Sequence, residues 1–245
     1  MWVQCRFWQG SKDLRVVNAR HEASMSEQAL QKRDWTPSPL VAAAFSTLCC
    51  VGVVLAGTLV TRGSVGRFLL WNLFLAWVPV GFAWLATRPG NSRSARWGWG
   101  MLWLLFFPNA PYIFTDMVHL GDEQGDVFWV RLGVLLLFAM TGLVAGFLSL
   151  HRMQRLVTEH FGAWVGWAVV LVCCGLGSAG VAMGRFMRWN SWDAVVRPVH
   201  LVEETLRWFW DLRHDPMTGI FLALFSLFLV LSYLMFHAMG CRAQR

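Results

Sequence analysis

The run of 24 residues from 97 to 120, WGWGMLWLLFFPNAPYIFTDMVHL, constrains this chain more than any other stretch. It is apolar and long enough to cross a bilayer core, which takes roughly 20 helical residues. Yet Pro108 and Pro111 flank Asn109 and Ala110 in its middle. Each proline removes a backbone donor and disfavours the helical conformation of the residue before it. Carbonyls freed in this way cannot stay unpaired in lipid, so the break must face protein or a wet cavity. Past the break, Tyr112, Asp116 and His119 stand at i, i+4 and i+7, one face of a short α-helix. Asp116 is the only carboxylate in any apolar span, and an ionisable residue so placed is a functional candidate. The competing reading is that Asn109 and Asp116 simply cap the interrupted helix.

The rest of the chain alternates apolar spans with short polar loops. Spans are expected at about 40–60, 68–86, 127–150, 161–183 and 217–239, besides the broken stretch. Pro79 is expected to kink the second of the six. The small residues of 161–183, among them Gly166, Gly175, Gly177 and Gly180, suit close helix packing. The fold class is therefore all-α, a polytopic transmembrane bundle of about six spans occupying 37–240. Residues 1–36 are polar, cytoplasmic and poorly ordered in this reading, and 241–245 form a basic tail. Met25 offers a second plausible start; an intact native N-terminus at Met1 would remove that reading.

Charge argues the same way. Charged residues make up 14% of the 245, against roughly 25% in soluble domains. The net charge of +7 comes from 19 Arg and 2 Lys, and the arginines sit mainly between spans, as orientation signals and headgroup contacts. Membrane lipids are the partners this implies, and nothing points to nucleic acid, a nucleotide fold or a redox cofactor. Four of the six cysteines form adjacent pairs inside spans, where cysteine packs as a small apolar residue. With N-in topology and six crossings, and counting only the three basic residues nearest the first span from 1–36, Lys and Arg number ten inside and eight outside; a re-entrant 97–120 gives twelve and six. Charge thus favours five crossings, and the length of the broken stretch favours six, which we adopt.

A second motif, GRFMRWNSWD at 184–193, groups Arg185, Arg188, Asn190 and Asp193 with Trp189 and Trp192. Arg offers a fork of donors for phosphate or carboxylate, although an interfacial anchor explains the motif as well. Two crossings separate it from the end of the broken stretch, so both motifs face one side in either topology. Residues 199–214 follow as an amphipathic helix lying in the interface, with His200, Glu204, Arg207, Asp211 and His214 on its polar stripe.

The wording of FFPNAPYIFTDMVHL and GRFMRWNSWD resembles a family of uncharacterised bacterial multi-pass membrane proteins, the domain-of-unknown-function family numbered 1361. The resemblance covers roughly 40–240 and implies an integral protein of a bacterial cytoplasmic membrane, with no activity to carry over. From the residues themselves, the leading expectation is an enzyme-like polar site for a lipid or anionic headgroup. Asp116, His119 and Tyr112 would be catalytic, and Asn109, Arg185, Arg188, Asn190 and Asp193 would bind substrate. A divalent metal on Asp116 and His119 is the one cofactor to consider, with fewer protein ligands than such sites use. A transporter or small-ligand receptor, and an accessory or assembly protein, are the alternatives.

Overall fold

The computed structural model describes residues 38–61, 66–121, 125–189, 191–211 and 215–242. The expectations for 1–36 and for the start at Met25 lie outside the described residues. Among the described residues the chain is helical, with no strand. The elements are α1 (Pro39–Thr61), α2 (Arg67–Ala86), α3 (Arg93–Phe106), α4 (Asn109–Tyr112), a 3-10 segment (Ile113–Leu120), α5 (Asp126–Phe161), α6 (Ala163–Ala182), a π turn (Met183–Met187), α7 (Asp193–Val196), α8 (Pro198–Asp211) and α9 (Pro216–Arg242). Of these, α1, α2, α5, α6 with its π turn, and α9 are long and apolar enough to cross a membrane. The stretch expected as a sixth span is instead the 14-residue α3, a break, and two shorter pieces.

Two boundaries differ from expectation. The loop expected at 151–160 is helical, because α5 continues for 36 residues to Phe161. The reversal into α6 is made by Gly162 alone, at φ 90°, a conformation only glycine adopts freely. At about 1.5 Å per residue, α5 is roughly 54 Å long, well beyond a hydrocarbon core of about 30 Å. Its surplus carries the exposed Arg152, Arg155 and Glu159. Pro79 is buried within α2, which runs through it as one helix.

The helices meet through polar contacts and small residues, since apolar burial between helices drives little association in lipid. Ser46 on α1 and Thr141 on α5 are hydrogen-bonded at 2.6 Å, and Trp77 Nε1 donates to Thr47 Oγ1 at 2.9 Å. Trp103 Nε1 donates to Ser149 Oγ at 3.0 Å, joining α3 to α5. Ser178 Oγ donates to the Leu222 carbonyl at 3.0 Å, joining α6 to α9, and the fully buried Tyr233 donates its hydroxyl to Gln154 on α5. At the start of α9 the Thr218 hydroxyl and amide both donate to the Asp215 carboxylate, holding it below the usual carboxyl range. That contribution is complete above the ordinary carboxyl pKa and is lost as pH falls through the lowered one. Thr218→Ala is expected to raise the Asp215 pKa, which an NMR titration would read; an unmoved value would contradict the cap.

The course of the broken stretch is given by its neighbours. Asn91 and Leu85 meet at one end, Trp99 stacks on Phe82, and Asn72 meets Asp116 near the start of α2. Along α5, Arg96 reaches His160, Trp103 reaches Ser149, and Ile113 lies against Gly142. The stretch therefore runs antiparallel to both α2 and α5 and does not double back within the described residues.

Helix α8 presents three stripes. Leu201, Glu204, Thr205 and Trp208 are partly covered, whereas Val199, Val202, Leu206, Phe209 and Trp210 are exposed along one side and His200, Glu203 and Arg207 along another. An uncovered apolar stripe beside a charged one suits a helix lying in the headgroup boundary.

Candidate functional site

The break at Pro108 and Pro111 leaves carbonyls on the last turn of α3 without their helical donors. Side chains replace them. Asn109 Nδ2 donates to the Phe106 carbonyl at 2.9 Å and to Ser191 Oγ at 2.9 Å, and Ser191 Oγ donates in turn to the Leu105 carbonyl at 3.2 Å. Asn109 is thus engaged in closing the interrupted helix, as the capping reading holds, and Ser191 brings the second motif onto the first. Protein encloses the break: Phe107, Ala110 and Pro111 are buried.

The broken stretch sits this deep because glycines receive it. A Cβ on Gly146 would lie 2.7 Å from Ala110 Cβ, one on Gly142 would lie 2.8 Å from Ile113 Cδ1, and one on Gly180 would lie 2.5 Å from Pro108 Cγ. A Cβ on Gly184 would come within 3.1 Å of the Tyr112 ring. Gly142 and Gly146, and Gly180 and Gly184, are each four apart, the small-xxx-small spacing of close membrane-helix contacts. The Gly142/Gly146 pair was missed in the sequence reading, although this spacing would have shown it.

Past α4 the chain tightens into the 3-10 segment, which corrects the expected α-helical face. At three residues per turn, Ile113 and Asp116 share one row and Tyr112 is turned roughly 120° away from Asp116. Ile113 and Asp116 accordingly face the interior, at 0% and 3% exposure, whereas Tyr112 lies against Gly184. Asn72 Nδ2 donates to Asp116 Oδ2 at 2.8 Å, and Arg185 Nη1 lies 3.7 Å from Oδ1. In the sequence Asn72 is only a polar residue inside an apolar span.

Arg185 is aimed at Asp116 from the π turn, in which the backbone is wider than an α-helix, a form enriched at functional positions. The turn ends at Arg188, an exposed residue in the left-handed region at φ 59°, which for a residue with a side chain stores strain. Trp189 Nε1 donates to Glu204 Oε2 at 2.8 Å and meets the His200 ring edge-on, tying α8 to the motif. Asp193 opens α7 and is partly exposed. Asn190 and the side chain of His119 lie outside the described residues. The structure thus joins Asp116 to Arg185, Asn109 to the 191–192 turn, and Tyr112 to Gly184, and it leaves Arg188 at the surface. Among the described residues no three His, Cys, Asp or Glu side chains gather as metal ligands.

Beside the break, Trp71, Leu75, Asn109, Ser191 and Trp192 enclose an open cavity of about 180 Å³. Trp71 and Trp192 are 55% and 50% exposed, so the cavity opens between two indoles on the outer surface of the bundle. Trp71 and Leu75 lie four and eight residues into α2, roughly 6 and 12 Å along its axis, which sets the cavity a turn or two below the end of that helix.

This is a polytopic helical membrane protein with a cluster of hydrogen-bonded polar residues at a broken helix near one end of the bundle. The chain belongs to the family described as "Protein of unknown function (DUF1361)", whose profile matches residues 71–234. The match begins at Trp71 and takes in the break, the π turn and α8. Comparison with curated proteins found no match, and comparison with solved structures found none either.

Proposed function

We propose that this integral membrane protein binds a lipid headgroup in the cavity beside the break. The observation that carries this is the cavity's composition: two half-exposed indoles at its mouth, and a buried leucine, an amide and a hydroxyl completing its wall. Convergent polar groups in a mostly apolar pocket are the pattern of ligand sites, and an opening toward lipid suits an amphiphile. Asp116 serves as a positioning residue in this reading, because Asn72 and Arg185 already engage its carboxylate. The antiparallel course of the broken stretch supports six crossings, and the Arg-rich 87–96 and 151–160 segments then share the cytoplasmic side of a bacterial membrane with the N-terminus.

Native mass spectrometry in a polyoxyethylene detergent tests the proposal. The wild type is expected to retain a lipid that a Trp71→Leu, Trp192→Leu double variant loses. Equal retention by both proteins would remove the cavity from consideration.

A further inference from the structure

The cavity's hydrogen-bonding inventory specifies what it accepts, given that it is the headgroup site proposed above. Both N–H groups of Asn109 are committed, one to the Phe106 carbonyl and one to Ser191 Oγ. The carbonyl at 106 requires a donor, which fixes the orientation of the amide. The single proton of Ser191 is committed to the Leu105 carbonyl. What Asn109 and Ser191 have left is acceptor capacity: Asn109 Oδ1, to which no described residue donates, and a remaining lone pair on the Ser191 hydroxyl. A group that fits this wall donates hydrogen bonds.

Charge points the same way. Leu105 and Phe106 are the last residues of α3, and the carbonyl end of a helix carries the negative end of its dipole. Among the described residues no basic side chain lines the cavity, and Trp71 and Trp192 flank it; indole faces attract cations, more strongly where water is excluded. The volume of about 180 Å³ corresponds to roughly six waters. That is the scale of an ethanolamine head.

We infer that the cavity takes the ammonium end of a zwitterionic phospholipid headgroup, held between Trp71 and Trp192 and hydrogen-bonded to Asn109 Oδ1. An anionic headgroup, the expectation from the arginines of 184–193, finds no free donor on Asn109 or Ser191.

The test compares lysophosphatidylethanolamine with lysophosphatidylglycerol by native mass spectrometry titration of the full chain in a polyoxyethylene detergent. The ethanolamine lipid is expected to bind about tenfold more tightly, and Trp71→Leu is expected to abolish most of that preference. Trp71 is half-exposed, so this substitution spares the fold, whereas Trp192 also packs edge-on against Phe106. Equal or tighter binding of the glycerol lipid would overturn the ammonium assignment while leaving the headgroup site standing. A preference undiminished in Trp71→Leu would overturn its location. Retention of neither lipid would sink the headgroup site and this inference together.

Discussion

Asp116→Ala is expected to destabilise the folded protein by about 3 kcal/mol, the low end of what removing one partner of a buried ion pair costs. The Asp116 side chain is 4% exposed and that of Arg185 20%, so the arginine left behind is only partly rehydrated. Asn72 also loses the acceptor for its part-buried amide, which adds a smaller penalty than a fully buried orphan would. Reversible unfolding in mixed detergent would read the change. Combining Asp116→Leu with Arg185→Met is expected to recover much of the loss, because replacing both charges by apolar groups removes the uncompensated one. Wild-type stability in Asp116→Ala would show that the pair contributes nothing. The comparison also bears on chemistry: if Asp116→Ala lost a cellular phenotype while keeping full stability, a catalytic role would regain ground over a positioning one.

The second large effect concerns a glycine. Gly180→Ala is expected to cost about 2 kcal/mol, as overpacking of a tight contact does. Its Cβ would meet the Pro108 ring at 2.5 and 2.7 Å, and a proline ring cannot rotate away, so the broken stretch and α6 would have to separate. Gly175→Ala is the control. No atom lies within 4 Å of the position its Cβ would take, and alanine favours a helix over glycine, so that variant is expected to match or exceed the wild type. Equal destabilisation by the two substitutions would refute the glycine cradle.

Gly175 and Gly180 also mark where the sequence stops being informative. Both sit among small residues in one apolar run, and composition treats them alike; only the rotation of α6 against the broken stretch makes one critical and the other idle. The same limit applies to Asn72, which reads as a lone polar residue in a span until register sets it 2.8 Å from Asp116. Ser191 stands in the second motif between the larger Asn190 and Trp192, yet its hydroxyl is what reaches the break.

What the sequence determined by itself is what depends on local, additive properties. Apolar length made the class of protein legible, two prolines located the break, and the period of 199–214 gave α8. Counting crossings placed the two motifs on one side, and Arg185 and Asp116 do meet. The tertiary structure alone decided the rest. It drew the chain after Pro111 into a 3-10 segment, turning Tyr112 away from Asp116, and it carried α5 on through 151–161. It also committed the protons of Asn109 and Ser191 to carbonyls of the broken helix and to the hydrogen bond between the two, so that acceptors are what they offer the cavity. The physical reason is that hydrophobicity and backbone constraints sum along the chain. Hydrogen-bond partners and packing depend instead on the rotation and register of helices far apart in sequence.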